Sequence, residues 1–260
     1  MTETLEFPEL LRLIDERSTA FQTAVAAAPD LDARVPTCPE WTLLDLVRHM
    51  GEGRRFWAAA VAAGPVADPP TRSSASDSDP TQGREALLAW LAASTRQLLD
   101  VLREAGPDRG CWTWWGTSQS PRTSGAVARH QLQEIAVHTY DAQVTVGTPQ
   151  PLPEEVALDG VDEFLSTCCA TTDAWPHEPA TVDYHTTEGR SWRLRLSPDG
   201  ARVARLPTPP TDKGHDASGA SARGPAGDLV LAFYGRVPVD SLSLDGDRRV
   251  FDQLMAWEPE

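Results

Sequence analysis

The chain has 260 residues, 40% of them hydrophobic, which is enough for a buried core and suits two modest domains. With 38 acidic against 23 basic residues its formal net charge is −15, a field that repels nucleic acid and anionic membrane, so neither is expected as a partner. An anionic substrate would have to be captured by a local arginine, against that field. The opening Met1-Thr-Glu-Thr-Leu-Glu-Phe-Pro carries neither the basic nor the apolar region of a signal peptide. The longest apolar run, residues 56–63, falls far short of the roughly 20 residues that span a bilayer. Cys38, Cys111, Cys168 and Cys169 show no C-x-x-C spacing and read as reduced thiols of a cytoplasmic protein. Lys213 is the only lysine and Asn is absent, a bias expected of a GC-rich genome.

The first half reads as successive helices. Leu10, Leu11, Ile14, Phe21 and Val25 fall close to a helical period over residues 8–28, and Pro29-Asp30 stops the pattern. Residues 35–41, with two prolines, read as irregular. Thr42-x-x-Asp45 has the form of a capping box and opens a second helix reaching about residue 63. Gly51 and Gly53 weaken that helix by about 1 kcal/mol each relative to Ala; such glycines mark close packing or room for a ligand. Residues 64–83 read as an exposed loop, 84–105 as a third helix and 124–146 as a fourth, with Gly147 as its C-cap. Between the last two, Cys111-Trp-Thr-Trp-Trp115 supplies either core plugs or pocket walls. Four long helices predict a bundle, whose core is a natural place for a metal.

After a further helix over 153–169 the pattern becomes strand-like. Residues 181–186 and 191–197 alternate around Glu188-Gly189, and 202–206 follow Pro198-Asp-Gly. A loop over 207–215, strands near 217–223 and 241–244, and helices over 228–234 and 248–257 complete the pattern. The expected fold is α+β: a helical bundle over 1–150, a connecting helix and linker over 151–178, and a small α+β domain over 179–260.

Chemistry concentrates in Arg129-His-Gln-Leu-Gln-Glu134-Ile-Ala-Val-His138-Thr-Tyr-Asp141. Residues four apart on a helix share a face, with Cβ atoms about 6 Å apart, so a carboxylate and an imidazole at that spacing can share an ion. His130 and His138 are about 12 Å apart along the axis and cannot both reach one metal. Spacing permits His130/Glu134 or Glu134/His138 and does not choose. Taken alone, the segment fits an ordinary surface or satisfied core pair better than a metal site.

Residues Val35-Pro-Thr-Cys-Pro-Glu-Trp-Thr-Leu-Leu-Asp-Leu-Val-Arg-His49 closely resemble the P-x-C-P-x-W-T-x-x-D-L-x-x-H opening of the mycothiol-dependent maleylpyruvate isomerase family, which belongs to the DinB-like metal-binding helical bundles. The resemblance continues at Glu134-Ile-Ala-Val-His138-Thr-Tyr-Asp-Ala, similar to that family's E-x-x-x-H-x-x-D helix. It returns at Arg223-Gly-Pro-Ala-Gly-Asp-Leu-Val-Leu-Ala-Phe-Tyr-Gly-Arg236, similar to the G-x-A-x-D-L-L-L-x-L-x-G-R segment of its C-terminal domain. Nearly the whole chain is covered, and the first motif is the most specific. Gln133 departs from the pattern, standing where many relatives have a His; it is not a ligand position, so it marks a change around the site.

The resemblance implies a DinB-like four-helix bundle with His49, Glu134 and His138 as metal ligands. It also implies mycothiol, the small thiol of actinobacteria, as cosubstrate. Such a set suits Zn²⁺ with open positions, other divalent ions also being tolerated, and the ion would favour the thiolate near neutrality. The expected activity is a thiol S-transferase or cis–trans isomerase acting on a small electrophile. A hydrolase using metal-bound water and a non-enzymatic metal- or ligand-binding scaffold are the alternatives. Arg236, at the Gly-Arg position of the third motif, is the candidate for gripping an anionic group, with Arg223 second; each also fits a surface arginine. Cys38 and Trp41 are expected to pack, and Asp141 to support the site or cap its helix.

Overall fold

The computed structural model describes residues 4–66, 68–71, 83–207 and 219–258. The loops expected over 64–83 and 207–215 lie largely outside these residues, as does the start of the strand expected near 217. The chain divides into two units, one of residues 1–114 and 122–152, the other of 115–121 and 153–260.

The first unit is a four-helix bundle of α1 (Phe7–Ala27), α2 (Leu43–Ala63), α3 (Arg84–Ala105) and α4 (Ser124–Thr145). Helices α1 and α2 each pack against both α3 and α4. The apolar positions expected of α1 are buried, Phe21 and Val25 completely. Thr42 and Asp45 form the capping box: the Thr42 hydroxyl accepts from the Asp45 amide at 3.2 Å, and Asp45 accepts from the Thr42 amide at 2.9 Å. Both Thr42 donors hold the Asp45 carboxyl below its ordinary range. The segment expected to be irregular is a small antiparallel ribbon of β1 (Arg34–Val35) and β2 (Cys38–Thr42). Its two prolines concealed it, because Pro cannot donate to a ladder and ordinarily argues against a strand.

Helix α4 is buried nearly all round: His130, Gln131, Leu132 and Gln133 are consecutive and all buried. At about 3.6 residues per turn, four in a row face every direction. Its polar side chains are therefore enclosed, and buried polar groups demand partners.

The second unit holds α5 (Glu154–Phe164), a π-turn (Leu165–Cys169), and a sheet of β3 (Ala180–Thr186), β4 (Ser191–Ser197), β5 (Gly200–Arg205), β6 (Ala220–Gly224) and β7 (Ser243–Gly246). Helices α6 (Ala226–Phe233) and α7 (Arg249–Ala256) complete it. The strand order is β5-β4-β3-β6-β7, antiparallel except where β6 runs parallel to β3. Arg193 lies opposite Asp183 across β3–β4 and grips it with two bonds of 2.7 Å, both side chains buried. The fold class is thus α+β, a helical bundle followed by a small sheet domain.

The segment Trp115–Pro121, between α3 and α4 in sequence, belongs to the second unit. The Val203 amide donates to Gln119 Oε1 at 2.6 Å, Gln119 Nε2 donates to the Val203 carbonyl at 3.1 Å, and the Ser120 and Thr167 hydroxyls meet at 2.5 Å. No helix among the described residues is long and apolar enough to cross a membrane.

Candidate metal centre

The second turn of α2 carries His49, and the middle of α4 carries Glu134 and His138 one turn apart. Glu134 Oε2 stands 3.6 Å from His49 Nε2 and 3.9 Å from His138 Nε2. One donor atom from each of the three residues falls within 4.8 Å of the others. Donors around a tetrahedral zinc ion, each about 2.0–2.2 Å from it, are roughly 3.4 Å apart. Slight inward movement of the three side chains reaches that spacing, so the donor set fits a divalent ion.

The surroundings aim the donors. Asp141, with no exposed side-chain surface, stands 2.8 Å from His138 Nδ1. A carboxylate only accepts, so the Nδ1 proton points at Asp141 and the Nε2 lone pair faces Glu134 and His49. Asp141 is itself fixed by the Thr37 hydroxyl, which donates to Oδ1 at 2.6 Å, and by the Cys38 thiol at 3.8 Å from Oδ2. The β1–β2 ribbon thereby braces His138 on α4. Trp41, from the same ribbon, lies 4.7 Å from the His49 ring and 6.1 Å from the His138 ring, centroid to centroid.

Burial pushes the Glu134 carboxyl up, but contact with His49 and the charges of His138, His130 and His49 outweigh it and hold Glu134 at about 2. Its side chain keeps 26% of its surface exposed, so the anion is enclosed yet reachable. His130 Nε2 lies 4.0 Å from the other carboxylate oxygen, Oε1. Both partners that spacing allows therefore approach Glu134, and it is the Oε2 side that His49 joins.

A cleft of about 280 Å³ opens beside the cluster, between α2, α4 and the loop before α4. Of the tryptophans in that loop, Trp115 is a core plug of the second unit at 2% exposure, whereas Trp112 and Trp114 wall the cleft. Arg223 is exposed on β6; Arg236 follows α6 and donates to the Tyr234 carbonyl at 2.7 Å. Both belong to the second unit and the cluster to the first. The sequence reading missed the positions of Thr37 and Trp41 at the site, although both sit in the motif that contains His49.

Bundle and cluster define a class: four-helix proteins with a His/Glu/His set between two helices, extended by an α+β domain. The chain belongs to the mycothiol maleylpyruvate isomerase family. The family's "Mycothiol maleylpyruvate isomerase N-terminal domain" matches residues 11–143, and its "MDMPI C-terminal domain" matches 155–253. Among solved structures, the chain is similar to the crystal structure of the mycothiol-dependent maleylpyruvate isomerase, at 15% identity and a TM-score of 0.60. It is also similar to a histidine-to-alanine mutant of that enzyme, at 14% identity and a TM-score of 0.61. In both cases 94% of this chain and 96% of the other are covered. No curated protein matches the chain.

Proposed function

We propose that the protein is a metal-dependent enzyme that uses the thiol of mycothiol to attack a small electrophile, as an S-transferase or a cis–trans isomerase. The observation that carries this reading is the convergence of His49, Glu134 and His138 donor atoms within 4.8 Å, next to a cleft. His49, Glu134 and His138 would hold a divalent ion, zinc by the character of the donors, which when bound would supply the positive charge that favours thiolate near neutrality. Asp141 keeps the proton on His138 Nδ1, and Thr37 keeps Asp141 in place. His130, 4.0 Å from Glu134 Oε1 and lining the cleft, is placed to hold a proton beside the reacting group. Arg236 is the candidate grip for an anionic group of thiol or substrate.

The Cys111 and Cys169 thiols are poor nucleophiles. Burial raises Cys111, and it pushes Cys169 up to about 12 with Glu163 adding to the effect. An external thiol suits this. In an isomerase the thiolate adds to one carbon of a conjugated cis double bond, the new single bond turns, and expulsion of the thiolate restores the bond as trans. In a transferase the adduct takes up a proton and is kept.

The test is metal analysis together with a mycothiol assay against electrophiles and cis-diacids. Expected are about one divalent ion per chain, lost in His49→Ala and His138→Ala, and turnover that requires the thiol. Turnover without thiol identifies a hydrolase, and bound metal with mycothiol unchanged identifies a scaffold; either outcome overturns the proposal.

A further inference from the structure

The cleft beside the cluster is walled by rings. Phe56 and Trp112 stand perpendicular with centroids 5.7 Å apart, Trp57 tilts over Trp112 at 6.0 Å, and His130 meets both Trp57 and Trp114 edge-on at 6.1 and 5.7 Å. Trp114, at the edge of this ring cluster, is half exposed. No Arg or Lys occurs among the residues that line the cleft.

Two arginines of α2, Arg54 and Arg55, are committed elsewhere. Arg54 is buried and donates to Ser18 at 2.8 Å and to Thr95. Arg55 donates to Ser94 at 3.0 Å and lies 5.1 Å above the Trp90 ring. A dicarboxylate entering the cleft would meet the Glu134 carboxylate and the negative faces of indoles, with His49 and His130 the only basic side chains in the lining. A flat apolar group would meet ring faces and edges from several directions. An apolar cavity of about 150 Å³ holds benzene, so about 280 Å³ takes one ring with substituents or a fused pair.

Gly53 supplies the room. It lies on the cleft wall in mid-helix, where glycine costs about 1 kcal/mol relative to Ala. A Cβ there would meet nothing within 4 Å. Gly51, two residues earlier, is different: a Cβ on it would collide with the Trp90 indole. Packing requires Gly at 51, whereas position 53 faces open space on the cleft wall.

We infer that this cleft binds an uncharged aromatic group, so that the electrophile presented to the cluster is an aromatic or aryl-bearing molecule and not a short dicarboxylate. This rests on the thiol-transfer reading only for the word electrophile; the binding site stands on its own geometry.

The test is calorimetric titration of metal-loaded protein with 2-naphthol, fumarate and tetramethylammonium, without thiol. The naphthol should bind and the two ions should not. Gly53→Leu, which fills the space while improving helix propensity, should remove naphthol binding with metal content unchanged. Trp112→Ala and Trp114→Ala should each weaken it on the order of tenfold. Tighter binding of fumarate or tetramethylammonium, or naphthol affinity unchanged across the three variants, overturns the inference. Loss of metal in His138→Ala is scored separately, so failure of the metal reading and failure of the cleft are distinguishable.

Discussion

Two polar groupings, one in each unit, the first fully buried and the second half-open, solve the same problem in opposite ways. Arg193 and Asp183 face each other across two strands and satisfy one another with paired 2.7 Å bonds. His49, Glu134 and His138 bring three electron-pair donors together from two helices, with Nδ1 of His138 already committed to Asp141. The pair is electrically closed. The cluster points its lone pairs at one another, which is costly unless a cation or protons lie between them. Satisfied polar burial marks structure, and polar burial arranged around a shared centre marks function.

The difference can be broken most completely at His138. His138→Ala should lose stoichiometric metal outright by elemental analysis, while the unfolding transition of metal-free protein stays cooperative. Asp183→Ala should do the reverse: leave metal content intact and lower the unfolding free energy by about 3–5 kcal/mol in chemical denaturation, because Arg193 is left buried without its anion. Asp141→Asn sharpens the contrast, since it keeps the ligands and removes only the acceptor that orients His138. Metal affinity should fall about 10–100-fold in a competition titration, with the circular dichroism spectrum unchanged.

The smallest effect is acid stability without metal. Glu134 is held at about 2, below the 4.5 of an ordinary glutamate, so its contribution is fully present above pH 4.5 and is lost as pH falls toward 2. Glu134→Gln should flatten the acid limb of the stability curve by on the order of 1 kcal/mol, the partial exposure of the carboxylate reducing the effect.

Much of this was legible in the sequence, for physical reasons that also set the limit. Helices α1 to α4 announce themselves through apolar period and stop signals, and the Thr42–Asp45 box through a spacing with one structural meaning. The choice between His130 and His138 was not legible from spacing, because positions four residues before and after Glu134 are equivalent on a helix. The resemblance at residues 35–49 and 134–142 chose His138. In the structure both histidines approach the carboxylate, and the difference comes from which oxygen His49 shares. The roles of Thr37 and Trp41 required the β1–β2 ribbon to fold onto α4, which no local pattern encodes. Gly51 and Gly53 look alike in sequence; only the Trp90 ring beside one and open space beside the other separate them.

The placement of Trp115–Pro121 has a consequence for how the protein is made. Gln119 completes a contact with Val203, 84 residues downstream. During synthesis this segment emerges before α4, yet its partners Ser166, Thr167 and Val203 are all translated after the bundle. A gene cut after residue 152 would give a bundle carrying an orphaned loop, and the remaining fragment would lack the residues that bond to Thr167 and Val203. Pairing at such separation is slow, so closure of the sheet domain on this one short segment should lag behind helix formation in the bundle.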